Sequence, residues 1–390
     1  MRVGIASLVA AYVLSQFYRA FLAVLAPVLE AEIGASPDDL ARASGLWFLM
    51  FAVMQIPVGM ALDRIGPRMT TAVLLGAGGA GGAAVFASAS GPLSIDIAMA
   101  LIGIGCAPVL MASYFIFARV YSPAVFGTLA GMVIGIGSLG NIAASLPLSA
   151  AVEAFGWRPT LWTMSGVTLA VALLIALLAR DPERVVTEEK GSLLDLLRMP
   201  ALWPILAMML VSYAPAVGLR GLWVGPYYAD VFGADAAAIG EMALWMGFAM
   251  VLGNFAYGPL DRLLGTRKWL IFGGNACVLA ALAGLWAMPA AGGWTTLLLL
   301  MAVGFFGASF PMIVAHGRAL FPPHLVGRGV TLMNLFSLGA VGVAQVVTGR
   351  IHAATPATDP AAPYAALFAF FAVTVAIGLV LYLFSRDRTD

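Results

Sequence analysis

The chain has 390 residues, of which 62% are hydrophobic and only 10% are charged, and its mean hydropathy is +0.98. This composition excludes an ordinary soluble domain and indicates a protein that crosses the lipid bilayer many times. The formal net charge is +1, and the sequence has no basic block of the kind that binds phosphate backbones, so no nucleic-acid partner is expected.

Twelve apolar segments follow one another along the chain. At a rise of about 1.5 Å per residue, a helix of about 20 apolar residues crosses a hydrocarbon layer of about 30 Å. We therefore predict an all-α membrane protein with twelve transmembrane helices. The segments cover residues 4 to 29, 40 to 62, 68 to 90, 93 to 117, 125 to 150, 159 to 179, 201 to 226, 237 to 260, 268 to 288, 295 to 317, 327 to 350 and 363 to 385.

The distribution of positive charge predicts the orientation in the membrane. If the N-terminus is cytoplasmic, most lysines and arginines fall on the cytoplasmic side, and only Arg42, Arg158 and Arg350 fall outside. Short cytoplasmic loops carry such an excess of Lys and Arg. We therefore expect a multi-pass protein of the cytoplasmic (inner) membrane with both termini in the cytoplasm. Separately, we expect a monomer.

The sequence contains an internal repeat with a period close to 200 residues. Trp47 precedes Asp63 by sixteen residues, and Trp245 precedes Asp261 by the same interval. Repeats of this length indicate two related halves of six helices each. A charged segment separates the halves and predicts a solvated linker. The predicted units are an N-terminal bundle (1–180), a cytoplasmic linker (181–200) and a C-terminal bundle (201–390).

One segment carries a family resemblance. Residues Gly59 to Arg68 read GMALDRIGPR and resemble the signature loop between helices 2 and 3 of the major facilitator superfamily, and Gly258 to Arg267 form a weaker second copy. The resemblance implies a secondary transporter in which two pseudo-symmetric six-helix bundles rock about a central cavity. An enzyme is not expected, because the sequence has no nucleophile elbow, HExxH motif or phosphate-binding loop.

The two signature loops predict a gate. An aspartate at the end of a helix can accept charge-assisted hydrogen bonds from neighbouring arginines, and such bonds can break and form again during a transport cycle. The predicted gating residues are Asp63, Arg64, Arg68, Asp261, Arg262 and Arg267.

Two arginines stand out because each is a lone permanent charge inside a long apolar stretch. Arg19 follows Tyr12 by seven residues, and Arg220 follows Tyr213 by seven. A guanidinium inside a membrane is costly unless it faces water or an anion. Gln16 shares the helix face of Tyr12 and Arg19. The family resemblance implies that helices 1 and 7 line the cavity, and two planar donor forks there suit a carboxylate or a phosphate.

Further polar and aromatic side chains are candidates for the cavity lining. The tryptophans of the repeat lie on helices 2 and 8, and an amide side chain follows each of them on the same helix. The predicted substrate-binding residues are Arg19, Arg220, Tyr12, Gln16, Tyr213, Trp47, Trp245, Gln55 and Asn254, and further candidates are Tyr18, Tyr114, Asn334 and Gln345.

The preferred prediction is therefore a transporter of a small, anionic organic solute. The arginine that drug antiporters of the superfamily carry early in helix 4 is replaced here by Met99, which disfavours drug export. A vitamin importer is the first alternative, because the tryptophan pair would stack on a ring system such as that of riboflavin. A membrane sensor that keeps the fold without transport is the alternative from another class.

A copper importer is the remaining alternative. Met242, Met246 and Met250 stand four residues apart, and such a row of thioethers can pass Cu(I). The His-xxx-Met motif of the copper importers in the superfamily has no counterpart here, so neither a bound metal nor a cofactor is predicted.

A proton symporter needs a carboxylate whose protonation is linked to substrate occupancy. Glu241 and Asp96 are the candidates for such a coupling proton. Exchange or facilitated movement stays open beside symport, because both residues lie near the predicted external ends of their helices.

Overall fold

The computed structural model describes residues 2–121, 123–183, 193–322, 325–356 and 359–387. Ten helices in these ranges are long and apolar enough to cross a membrane, and two further pairs of helices, each bent at a short break, bring the number to twelve. Every regular element among the described residues is helical. The predicted all-α fold is confirmed. Of the predicted linker, residues 184–192, with Arg184 and Lys190, lie outside the described residues, as does Arg388.

The first six spans form the N-terminal bundle. Four of them begin with a proline, which is favourable because the N–H groups of the first helical turn have no partner within the helix. The spans are α1 (Arg2–Phe17 and Leu22–Ile33), α2 (Pro37–Arg64), α3 (Pro67–Ala87), α4 (Pro92–Val120), α5 (Pro123–Ala143 and Leu146–Phe155) and α6 (Trp157–Leu178).

A short helix in the linker, Leu193–Leu197, leads into the C-terminal bundle. The second six spans are α7 (Pro200–Phe232), α8 (Ala236–Leu264), α9 (Arg267–Ala287), α10 (Gly293–Arg318), α11 (Val326–Ala354) and α12 (Ala362–Tyr382).

Turns at matching positions repeat in the two bundles. Gly34 ends α1 with φ of 66°, and Gly233 ends α7 with φ of 64°. Both glycines adopt the left-handed conformation that terminates helices, which a side chain would strain. A second pair, Gly66 and Gly265, has positive φ at the turns after α2 and α8. The backbone thus preserves the internal repeat of the sequence.

Irregular turns interrupt both of the helices that carry the conspicuous arginines. Arg19 lies in a four-residue break that bends α1 by 52°. Arg220 lies in a wide π-type turn of α7, Leu219–Trp223. Breaks of this kind at membrane depth occur where the backbone lines a cavity or is buried in protein, and π-turns are frequent at functional sites.

The bundles meet at the ends of the helices that lie away from the linker, and we call this side the far face. Glycines permit the approach: a Cβ atom at Gly45 of α2 would lie 2.8 Å from the Gly342 oxygen of α11. Gly225 of α7 likewise packs on the Ala23 carbonyl of α1. The buried Gln345 donates to Ser44 at 3.1 Å across the same interface. The molecule is therefore closed at the far face.

The other side, which carries the linker and the signature loops, is the linker face. On this face, a carboxylate in each bundle joins two helices of that bundle. Asp181, after α6, accepts a hydrogen bond from the backbone N–H of Arg68 at 2.8 Å. Asp387, after α12, accepts one from the backbone N–H of Lys268 at 3.0 Å. Each bundle thus ties its last helix to the start of its third.

Candidate functional site

A cavity of about 270 Å³ lies between the bundles, on the linker side of the far-face contacts. Helices of both bundles contribute to it: α1, α2, α4 and α5 from the first, and α7, α8, α10 and α11 from the second. Its polar lining residues are Tyr12, Gln16, Arg19, Gln55, Tyr114, Ser138, Asn141, Tyr213, Asn254 and Asn334. The cavity therefore has the central, interbundle position that a transported solute requires.

Arg19 supplies the positive charge of the cavity wall. Its guanidinium lies 5.3 Å from the ring centre of Trp47 and 4.9 Å from that of Phe51, so two aromatic faces hold it by cation–π contact. Its Nε is buried without a hydrogen-bond partner. Among the residues that the structure describes, no carboxylate lies within 4 Å of this guanidinium, and none lines the cavity. The site is thus a cation without a counter-ion.

Neutral hydrogen-bonding groups surround Arg19. The Gln16 amide donates to the Tyr12 hydroxyl at 3.0 Å, so the polar stripe predicted on α1 is present as a connected pair. Tyr213 lines the opposite wall with its ring 5.1 Å from that of Phe310. Such groups orient a polar ligand without neutralising the arginine.

Arg220 does not line the cavity in this conformation. It is 3% exposed, and its Nη1 donates to the Asn141 side-chain oxygen at 2.9 Å. Its Nη2 donates to the backbone oxygen of the same residue. Because Asn141 belongs to α5 and Arg220 to α7, these hydrogen bonds join the two bundles.

The two tryptophans of the repeat occupy different environments. Trp47 is fully buried and stacks on Phe51, which separates it from the cavity. Trp245 is 41% exposed and lies outside the lining. The cavity side of α8 carries Gly247, and two residues correspond to about 200° around a helix, which turns Trp245 away. The predicted aromatic pair therefore does not meet across the cavity.

The amides predicted on the same helices do line it. Gln55 is buried and donates to the Phe51 carbonyl at 3.1 Å, and Asn254 donates to the Met250 carbonyl at 3.1 Å. Of the further candidates, Tyr114 and Asn334 line the cavity. Tyr18 instead contacts Thr168 inside the N-terminal bundle, and Gln345 lies at the far-face contact between the bundles.

Ser138 and Asn141 are the polar lining residues that sequence reasoning missed, and Asn141 is the one that contacts Arg220. Asn141 follows the repeated tripeptide Ser138 to Gly140, whose second copy ends at Gly339 and is followed by Ala340. The available signal was that Asn141 is polar whereas Ala340, at the matching position of the second repeat, is apolar. This difference points to a functional role only once the contact of Asn141 with Arg220 is known.

The signature loops lie at the linker face. Asp63 contacts Arg119 of α4 at 3.5 Å, and Asp261 contacts Arg267 at 3.4 Å. The Arg68 side chain donates to the Ala176 carbonyl of α6 at 2.6 Å. These contacts all stay within one bundle. Arg64 and Arg262 are exposed, with no carboxylate within 4 Å in the described part of the chain.

Comparison with known families supplies the assignment. The profile of the Major Facilitator Superfamily matches residues 8–222, which is more than half of the chain. The chain belongs to the major facilitator superfamily. It is accordingly a multi-pass membrane transporter and not an enzyme. Comparison with curated protein sequences gave no match.

Solved structures of superfamily transporters share the fold over nearly the whole chain. A D-xylose–proton symporter superposes with a TM-score of 0.79 at 14% identity, covering 98% of this chain and 97% of its own. A bacterial homologue of the human lysosomal transporter Spinster, inward-facing and occupied, gives 0.70 at 18%, covering 97% and 95%. The nucleoside transporter NupG gives 0.73 at 12%, covering 98% of each chain. These identities establish the fold alone.

The methionine row of this superfamily member does not form one surface. Met250 lines the cavity, whereas Met246 is fully buried and Met242 packs against the core. A helix presents residues four apart on one side, but the row runs towards the far face, where α8 is covered by neighbouring helices. Of the three methionines of this row, only Met250 lines the cavity.

The two candidates for a coupling proton lie near the far face, away from the cavity. Asp96 is buried and accepts a hydrogen bond from the Arg42 side chain at 2.8 Å. Glu241 accepts one from the Trp245 indole at 3.3 Å. Neither lines the cavity. Their role in coupling stays a prediction.

Proposed function

We propose that this superfamily member transports a small organic anion by alternating access. The observation that carries the proposal is Arg19: a guanidinium on the cavity wall, with no carboxylate among the described lining residues. Leaving a charge unpaired at membrane depth is costly. A negatively charged group on the substrate would remove that cost during each transport cycle.

The hydrogen-bonding groups of the cavity support a polar substrate of modest size. Tyr12, Gln16 and Tyr213 stand near Arg19 and can orient a carboxylate or phosphate once it is bound. A volume of about 270 Å³ is close to the lower end of ligand cavities, about 300 Å³. This size favours a small solute over a flavin, and the separation of Trp47 from Trp245 removes the predicted ring-stacking pair.

Alternating access would proceed by opening the far face while the signature loops close the linker face. Asp63 and Asp261 make their present contacts within their own bundles, so both are free to form contacts across the interface in the other state. We place both termini in the cytoplasm of a cell with this protein in its inner membrane, which makes the present state inward-facing. The cavity is complete within one chain, which supports a monomer.

The proposal is tested by binding and uptake. Purified protein is screened by thermal shift against carboxylates, phosphates, flavins and Cu(I), since a ligand that binds the folded state raises the melting temperature. Hits are then tested for uptake into proteoliposomes. Stabilisation and uptake by anions support the proposal. Uptake of only a neutral vitamin or of Cu(I), or anion binding without any flux, would overturn it.

A further inference from the structure

The contact between Arg220 and Asn141 fixes the orientation of an amide at the cavity wall. A guanidinium can only donate hydrogen bonds, so the atom of Asn141 that contacts Nη1 at 2.9 Å must be the oxygen. The two amide hydrogens of Asn141 then lie on the other branch of its planar side chain. No described residue accepts a hydrogen bond from them, and Asn141 lines the cavity.

The backbone of α5 explains why Arg220 is held in this place. In a continuous helix the Asn141 carbonyl would accept a hydrogen bond from Ser145. The break in α5 redirects the Ser145 N–H to Ile142, at 3.1 Å. Arg220 donates to the Asn141 carbonyl instead. A cation at a helix C-terminus is stabilised by the exposed carbonyls, so this arginine caps the first half of α5.

Gly247 of α8 forms the wall on the other side of the guanidinium. A Cβ atom there would lie 2.8 Å from Nε of Arg220, so a larger residue would force the guanidinium to shift. Gly247 also lines the cavity. The absence of a side chain at Gly247 thus leaves room for Arg220 beside the cavity, and Asn141 is the residue of this pair that faces the cavity.

Resting on the proposed transport of anions, we infer that Asn141 contacts the substrate and that Arg220 is a positioning residue that acts through it. The anion receives charge-assisted hydrogen bonds from Arg19 and neutral ones from the Asn141 amide. The two groups come from α1 and α5 of the same bundle, and Arg220 adds the link to the other bundle. The arginines therefore have different roles at matching positions.

The decisive variant is Asn141→Asp. A carboxylate keeps both hydrogen bonds to Arg220 but replaces the two donors with an acceptor that repels an anion. With inorganic phosphate, acetate and succinate as probes, the KM of the transported anion should rise at least tenfold, while the melting temperature without ligand stays at or above the wild-type value. An unchanged KM would overturn the inference.

A double-mutant cycle separates positioning from direct binding. Asn141→Ala should raise KM about fivefold, the loss expected for one neutral hydrogen bond. If Arg220 acts through Asn141, adding Arg220→Gln to Asn141→Ala should raise KM no further than Asn141→Ala alone. If the KM increases of the two single variants instead multiply in the double variant, Arg220 binds the anion directly and the inference is refuted.

Failure of the inference is distinguishable from failure of the proposed function. If Arg19→Gln abolishes anion uptake but Asn141→Asp keeps the wild-type KM, only the role of Asn141 is refuted. If the wild-type protein neither binds nor transports any of the anions, the proposed function fails, and this inference fails with it.

Discussion

Replacing Arg19 with glutamine should remove anion transport without destabilising the protein. Each charge-assisted hydrogen bond contributes about 1.5–3 kcal/mol, and two terminal nitrogens of Arg19 are available to an anion. With allowance for water in the open cavity, the loss is about 2–4 kcal/mol. This corresponds to about a 30- to 1000-fold decrease in anion affinity.

The stability of the unliganded protein provides the contrast. In the wild type, the buried, unpartnered Nε of Arg19 destabilises the fold by about 1–3 kcal/mol, and the cation–π contacts with Trp47 and Phe51 stabilise it by about 0.5–2 kcal/mol. Arg19→Gln removes both contributions. These terms nearly cancel. Arg220→Gln should instead destabilise the protein by about 2–3 kcal/mol, because the loss of two charge-assisted hydrogen bonds to Asn141, about 1.5–3 kcal/mol each, exceeds the gain of about 1–3 kcal/mol from removing its own buried, unpartnered Nε.

Both variants are assayed by anion-dependent thermal shift and by proteoliposome uptake, with the melting temperature in the absence of ligand as the measure of folding. Arg19→Lys is the matched control: it keeps the charge but lacks the planar fork, so an intermediate affinity is expected. Wild-type anion affinity in Arg19→Gln, or a large loss of unliganded stability, would show that Arg19 has a structural role and refute the reasoning.

Three further predictions concern the bundle contacts. Gly225→Ala should open the far face, because the added methyl overlaps the Ala23 carbonyl, and so increase the labelling of a cysteine introduced at that face. Gly166→Ala, with no atom within 4 Å of the added carbon, should leave the labelling unchanged. Gln345→Leu should weaken far-face closure in the same assay by about 1–3 kcal/mol, since it removes a fully buried interbundle hydrogen bond. Partial burial acts to raise the pKa of Asp387, but hydrogen bonds from Thr266 and the Lys268 backbone hold it below its ordinary value. Its stabilising effect is therefore present above the unfolded pKa of about 3.9 and is lost as pH falls through the folded pKa, so the melting temperatures of wild type and Asp387→Asn should converge in acid.

The sequence predicted the fold because the signals for it are local. Apolar length sets the number of spans, and matched loops reveal the duplication. Arg19 was also accessible to sequence reasoning: a lone charge seven residues after Tyr12 was expected to share a helix face with Gln16, and it lines the cavity although the helix breaks before it. These inferences depend on contacts within a few turns of a single helix.

Residues whose environment depends on two helices were harder to predict. Trp245 repeats the spacing of Trp47, but spacing does not specify how each helix is rotated relative to the cavity, and the two side chains point to different surroundings. Arg220 matches Arg19 in the repeat, yet the break in α5 offers it a free carbonyl and an amide from the other bundle. A periodic pattern contains no information about a partner more than 70 residues away.

The tie between Asp387 and the start of α9 has a practical consequence for handling the protein. Asp387 fastens α12 to the start of α9 through the Lys268 backbone, so a tag or reporter joined before this residue would remove the tie. Truncation at Tyr382 would remove the Asp387 tie from the C-terminal bundle, whereas the N-terminal bundle would keep its equivalent tie at Asp181. A fusion joined through a flexible spacer after Asp387 should keep both ties intact.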